Sequence, residues 1–298
     1  MKKKAFIICF GEVLWDMLPT GKVAGGAPMN VAFHAKNFGM NAQLISAVGN
    51  DELGKELLDF LQEKGMTTDL VHVNYTFSTS KVQVTLDENG SASYEIIEPI
   101  AWDFLYADNA IVHIVEKADF LLFGSLVCRK GYNIKPLLRL IENAKKTVFD
   151  VNLRPPFYSQ DLIEMLLQKA DIVKMNDEEL NLIFSWYESE KGIAEQMGFL
   201  MEKFQIETLV MTKGKDGAYC MHQGQLFTQK SFPVKVEDTV GSGDSFLAAF
   251  IYMMSKAKDW QQCLEFACAT GALVATKSGG TPHIDEKTIL DLIKEVEL

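Results

Sequence analysis

The rhythm of apolar positions changes along this chain, and the changes mark its elements. Lys4–Phe10 is a charged lead-in followed by an unbroken apolar run, which predicts a buried first strand. Val13–Val23 is mixed and ends in a turn bearing Gly and Pro. Pro28–Phe38 has helical spacing, with Pro28 at the first helical position and Gly39 at the end. Gln43–Val48 reads as a strand and Leu53–Lys64 as a helix closed by Gly65. Thr79–Leu86 and Ala92–Ile97 flank the turn Asp87-Glu88-Asn89-Gly90, with alternation at Val82, Val84 and Leu86, and predict a hairpin.

From about residue 110 apolar runs alternate with helical stretches. Strands are expected at Phe120–Phe123, Thr147–Val151, Ile172–Met175 and Thr208–Thr212, the pattern of a parallel sheet with crossover helices. Ala218–Met221 and Gln225–Thr228 form a second hairpin around Gly224, and the chain is mostly helical from Asp244 onward. The expected architecture is one α/β domain over residues 1–298, with a small β piece from roughly 13–23 and 79–105. Ligands of such sheets sit beyond the carboxyl ends of the strands, so a β piece projecting there can act as a lid.

Length and composition fit that reading. The chain has 298 residues, 48 % hydrophobic and 23 % charged, enough to bury a large core without staples. Its net charge of −11 argues against nucleic-acid binding through a broad basic face. An acidic protein binds phosphate through local donors, which directs attention to glycine loops and helix N-termini. The cysteines, Cys9, Cys128, Cys220, Cys263 and Cys268, are odd in number and scattered, which points to a reducing, cytoplasmic setting rather than a disulfide framework. No apolar run is long enough to span a membrane, and Glu12 and Asp16 follow Ala5–Phe10 too closely for a secretion signal.

Five stretches could carry chemistry. Asp238-Thr239-Val240-Gly241-Ser242-Gly243-Asp244 places two glycines before an acid at the start of an apolar, helical run. Read alone, it is either a tight turn with an acid set against the helix dipole, or an amide cradle for a phosphoryl group with Asp244 as proton acceptor. Gly25-Gly26-Ala27-Pro28-Met29-Asn30 would present backbone and an amide to a polar ligand, or would be a plain turn with Asn30 as a capping residue; Asp16 upstream could meet sugar hydroxyls. Thr212-Lys213-Gly214-Lys215-Asp216-Gly217 ends a strand and could receive nucleotide phosphates, although a β-turn also explains it. Asn176-Asp177-Glu178-Glu179 has the form of a capping box, and the same Asn176 and Glu179 could organise waters around Mg²⁺. Asp150-Val151-Asn152-Leu153-Arg154 sets polar side chains at a strand end, where Arg154 could clamp a phosphate or sugar oxygen. The isolated histidines have no zinc-ligand spacing.

Together these pieces resemble the PfkB (ribokinase-like) carbohydrate kinase family. Gly25-Gly26-Ala27-Pro28-Met29-Asn30-Val31-Ala32 with Gly39 and Gly49 looks like its N-terminal signature, and Asp238 to Phe246 like its C-terminal one. Two motifs in the right order are far more specific than either alone. Asp150 to Pro155 and Ala101-Trp102-Asp103 look most like fructokinases. The resemblance implies a ribokinase-like three-layer αβα sandwich with a mostly parallel central sheet and a small β-sheet lid. It implies ATP-dependent transfer of the γ-phosphoryl group to a sugar hydroxyl, fructose to fructose 6-phosphate first. A 2-keto-3-deoxygluconate kinase or ribokinase is the alternative, and a catalytically silent sugar- or nucleotide-binding member the reading of another class. The roles it implies are Asp244 as base, with Gly241, Ser242 and Gly243 as anion hole. Asp16, Gly25, Gly26, Asn30 and Arg154 face the sugar, and Asn176, Thr212, Gly214 and Gly217 the nucleotide. Asn176 and Glu179 serve Mg²⁺, largely through water, and Asp238 and the Val240 carbonyl a monovalent cation such as K⁺. Val240 and Ser242 replace a common Thr and Ala. Related kinases often pair through the lid, which makes a homodimer the expected assembly.

Overall fold

The computed structural model describes residues 4–18, 21–86, 92–96, 98–189 and 191–297. Strand β1 (Phe6–Phe10) leads into β2 (Leu14–Leu18) and β3 (Gly21–Gly25), followed by helix α1 (Ala27–Asn37), β4 (Asn41–Gly49), α2 (Glu52–Glu63), β5 (Val71–Asn74), β6 (Lys81–Leu86) and β7 (Ala92–Ile96). Helices and strands then alternate through α3 (Asn109–Lys117), β8 (Phe120–Gly124), α4 (Ile134–Ile141), β9 (Thr147–Asp150), α5 (Gln160–Leu167), β10 (Ile172–Asn176), α6 (Asp177–Ser185), α7 (Ile193–Phe204) and β11 (Thr208–Thr212). The chain ends with β12 (Ala218–His222), β13 (Gln225–Gln229), α8 (Ser242–Ser255), α9 (Trp260–Val274) and α10 (Glu286–Glu297).

Nine strands form the central sheet, in the order β13-β12-β11-β10-β9-β8-β1-β4-β5. All neighbours pair in parallel except the β11–β12–β13 edge, which is antiparallel. The strands read as continuous apolar runs because both faces are covered. Alternation divides β1 between two cores. Ile7 and Cys9 pack with Val31 of α1, Leu247 and Phe250 of α8 and Leu264 of α9. Ile8 and Phe10 pack with Leu137 and Leu140 of α4, Ile163 of α5 and Leu200 of α7. That is the expected three-layer sandwich.

A second sheet, in the order β3-β2-β6-β7, stands apart. Trp15 fastens it to α2: its Nε1 donates to the Leu53 carbonyl at 3.0 Å and its ring meets Phe60 edge-on. Lys22 adds an ion pair to Glu56. At its root Asp51 caps α2 and also accepts from Thr79 N (2.8 Å) and Thr79 Oγ1 (2.6 Å). The turn expected at Asp87–Gly90 lies outside the described residues, but β6 and β7 pair antiparallel as its two flanks require.

The structure differs from the sequence pattern at three places. The small sheet stops at Ile96, and Ala101, Trp102 and Asp103 form a buried turn in the main core rather than part of the lid. The pattern does not predict β5, because a four-residue edge strand with alternating His and Asn carries little periodicity. Pro28 is the second helical residue, and Gly26 (φ 117°) is the N-cap that the Asn30 side chain does not provide.

Candidate active site

Alternation within the parallel strands assembles a polar row beyond the core. In β9, β10 and β11 the core residues Val148, Ile172 and Val210 face α1, α8 and α9, whereas Phe149, Val173, Met175, Leu209 and Met211 face the opposite layer. Asp150, Lys174, Asn176 and Thr212 therefore share the α8 side, where Asp150 is the register partner of Lys174 and Asn176 of Thr212.

The start of α8 sits over that row. Gly241 precedes it at φ 75°, and a Cβ there would stand 2.5 Å from the Gly280 carbonyl oxygen. No side chain caps the helix, so amides of its first turn remain for an anion. Ser242 is partly engaged: its N–H donates to the Thr239 carbonyl (3.2 Å) and its hydroxyl to that of Gly271 (2.9 Å). The Gly243 and Asp244 amides make no such contact among the described residues.

Asp244 lies one residue further in. Asn30 Nδ2 donates to its Oδ2 at 2.7 Å, joining two segments 214 residues apart. Burial and the charge of Asp150 push the Asp244 carboxyl up to about 6, against Lys174, the Asn30 hydrogen bond and Arg154. Asn30 is thus a partner of the acid, not a cap. One turn on, His34 is buried and its Nε2 lies 2.9 Å from the Gly280 carbonyl; burial lowers the ring to about 4, so it is neutral and donates there. α1 braces both the acid and the loop behind Gly241.

The remaining expected residues fall on two sides of Asp244. Asp16 is in β2, and a Cβ on Gly25 would come within 2.7 Å of its Oδ2, so that glycine makes room for the carboxylate. Burial raises Asp16, and Arg154 opposes the rise. Arg154 is exposed, with Nη1 on the Leu153 carbonyl. On the other side, a cavity of about 620 Å³ runs past Asn176, Thr212, Gly214, Gly217 and Gly243, with Phe232 and Ala272 in its apolar wall. Gly217 (φ 103°) lies against the Gln229 carbonyl, which leaves no space for a side chain. Asp238 draws two loops together by accepting from Val240 N (3.0 Å) and Gly279 N (2.9 Å).

Asn176 and Glu179 form the full capping box, and Glu179 also accepts from Leu153 N at 2.8 Å. Both Glu179 oxygens thus hold backbone amides, which suits contact with a divalent ion through water. Asp150 Oδ2 is buried with no hydrogen-bond partner among the described residues. Mg²⁺ is held by one or two carboxylates together with waters and substrate phosphates, a requirement that Asp150, Asn176 and Glu179 fit. Among the described residues no group of three or more His, Cys, Asp or Glu is placed to hold a metal.

Two charged residues escaped the motif reading. Glu12 is 3 % exposed, its Oε2 has no partner among the described residues, and burial raises it to about 7. Lys174 is buried against Asp150. Each sits in or just past an apolar strand, where a charge stands out.

The family model for pfkB family carbohydrate kinases matches residues 6–287. The chain belongs to that family. Among its curated relatives, a probable fructokinase-4 of Arabidopsis thaliana is 27 % identical, with 98 % of each chain covered. A fructokinase of Solanum tuberosum is 29 % identical, with 97 % of this chain and 95 % of that one covered. In structure, a fructokinase of Xylella fastidiosa with bound ATP superposes with a TM-score of 0.85 at 25 % identity, over 98 % of this chain and 99 % of that one. The two glycine-bearing stretches that carry the resemblance meet at Asn30 and Asp244.

Proposed function

We propose that this chain is an ATP-dependent fructokinase that transfers the γ-phosphoryl group to O6 of fructose. The observation that carries the reading is the 2.7 Å contact of Asn30 with Asp244, because it sets an oriented carboxylate at the seam between the nucleotide cavity and the Asp16 side. The fructokinase names of the relatives support the choice of sugar.

In this mechanism the sugar lies between Asp16, Gly25, Gly26 and Arg154, with its reacting hydroxyl toward Asp244. Asp244 takes the hydroxyl proton as the oxygen attacks. The amides at the start of α8 accept the charge gathering on the phosphoryl oxygens, and such preorganised donors are a large part of catalysis in phosphoryl transfer. Thr212, Gly214 and Gly217 line the nucleotide. Asp150, Asn176 and Glu179 would hold Mg²⁺, largely through water, and the ion would supply neutralisation of phosphate charge. A monovalent cation such as K⁺ would rest on Asp238 and the Val240 carbonyl.

We further infer a homodimer through the small sheet, whose edges β3 and β7 are unpaired among the described residues. A cytoplasmic setting fits the five free, buried cysteines, and among the described residues no helix is long and apolar enough to cross a membrane. Nucleic acid has no part in this reading.

The test is ADP release from MgATP with fructose, ribose, glucose, 2-keto-3-deoxygluconate and fructose phosphates, with and without K⁺. Turnover should be highest with fructose, and Asp244→Asn should lower it ~10²–10⁴-fold while the protein stays folded. Turnover with another sugar alone would keep the kinase and discard fructose; a fully active Asp244→Asn would overturn the mechanism.

A further inference from the structure

Lys174 is 7 % exposed in the middle of a parallel strand, and its Nζ lies 3.0 Å from Asp150 Oδ1. A buried ion pair is weak evidence for stability, since desolvation offsets the attraction and apolar residues often serve as well. This pair is also incomplete, because the other Asp150 oxygen has no partner among the described residues. Its location gives it a different use. A Cβ on Gly243 would stand 3.2 Å from Lys174 Nζ and 3.8 Å from its Cε, so the ammonium lies directly beneath the first turn of α8.

We propose that Lys174, held by Asp150 beneath Gly243, is a further electrostatic residue of the reaction, adding fixed positive potential where charge gathers on the transferring phosphoryl group. The inference rests on the kinase reading above. The residue exchanges no proton: the sugar O–P bond forms as the nucleotide's bridging O–P bond breaks, and the hydroxyl proton goes to Asp244. Lys174 acts through a preorganised field from a buried position, where such charges are strongest. Its effect therefore belongs in kcat rather than in substrate affinity.

The experiment compares Lys174→Gln, which can still hydrogen-bond Asp150 without charge, with Lys174→Arg, which keeps the charge. For each, kcat and both KM values are measured. Affinities for MgADP·aluminium fluoride with fructose, a mimic of the transferring group, and for a non-hydrolysable MgATP analogue are read by fluorescence titration. Lys174→Gln should lower kcat by roughly 10²-fold with KM values within about threefold, and should weaken the mimic by a similar factor without weakening the analogue. Lys174→Arg should recover part of both losses. The ratio of the two affinities does not depend on the fraction of active protein. Should Lys174→Gln fail to fold, Asp150→Asn/Lys174→Met, which leaves no unpaired charge, is compared with Asp150→Asn by the same ratio. An unchanged ratio in these variants, or equal loss of mimic and analogue, would overturn the proposal. Wild-type protein that turns over no sugar would instead overturn the kinase reading on which it rests.

Discussion

A carboxylate that accepts a proton must be ionised when its substrate arrives, yet the surroundings of Asp244 hold its carboxyl at about 6. Burial and the charge of Asp150 push it up, Lys174, the Asn30 amide and Arg154 pull it down, and the charge of Asp244 in turn raises Glu12. Activity should therefore fall as pH drops through about 6, seen as an acid limb in kcat/KM for fructose. Asn30→Leu removes the 2.7 Å hydrogen bond, so the limb should move to higher pH; a limb that stays put would show that Asn30 does not tune the acid. The same shift predicts a stability effect. Because the folded value lies above the unfolded 3.8, the proton stabilises the fold at low pH, and that contribution is lost as pH rises through about 6. Asp244→Asn should thus raise the melting temperature at pH 8, by a free energy of up to roughly 3 kcal/mol at 1.36 kcal/mol per unit. Partial exposure of Asp244 reduces that figure. The gain should shrink at pH 5; a gain independent of pH would remove burial of the charge as its cause. Asp244 and Asn30 were legible in the sequence because glycines flag them. Glu12 and Lys174 were not, because a charge within an apolar run acquires meaning only once the face and the covering helix are known.

At the scale of elements, the proposed anion site depends on how α8 begins. Gly241 needs a left-handed φ of 75° and has the Gly280 backbone against it, so Gly241→Ala meets both conformational strain and collision. Gly39 ends α1 at φ 86° with nothing within 4 Å of where an alanine methyl would sit, so Gly39→Ala meets conformational strain alone. Strain of this kind costs about 1–2 kcal/mol per residue. Thermal denaturation should show Gly39→Ala losing about that much with kcat intact, and Gly241→Ala losing more, together with at least tenfold in kcat. Equal kinetics in the two variants would mean that the start of α8 does not hold the phosphoryl group. Most elements of this layer could be read from the sequence, since strands buried on both faces, helix-ending glycines and paired hairpins leave strong local patterns. What escaped has non-local causes. β5 is a strand because β4 offers it an edge, and Ala101–Phe104 leaves the lid for the core because Arg129 anchors Asp103 with two hydrogen bonds of 2.8 and 2.9 Å from elsewhere in the chain.

Across the whole molecule, the proposed sugar and nucleotide contacts fall on different bodies. Asp16 belongs to the small sheet, which is held to α2 by Trp15, Lys22 and the Asp51–Thr79 contact, whereas the nucleotide cavity is formed by the β11–β12 turn, α8 and α9 of the main body. Sugar should therefore order the small sheet, and nucleotide should not. The Asp244→Asn variant allows both to be bound without appreciable turnover, and hydrogen exchange can follow each. Fructose should slow exchange in β2, β3 and the root of β6; a MgATP analogue should slow it around residues 212–217 and in the first turn of α8. At 100 times Kd each ligand stabilises the fold by about 2.7 kcal/mol, which for a chain of 298 residues raises the melting temperature by roughly 4 °C. If closure of the sheet over the sugar also helps fix the nucleotide, both ligands together should raise it by more than the sum, since ordering paid by the first is spared the second. Fructose that protects only the central sheet, leaving β2 and β3 unchanged, would show that the small sheet is a fixed wall and not a lid.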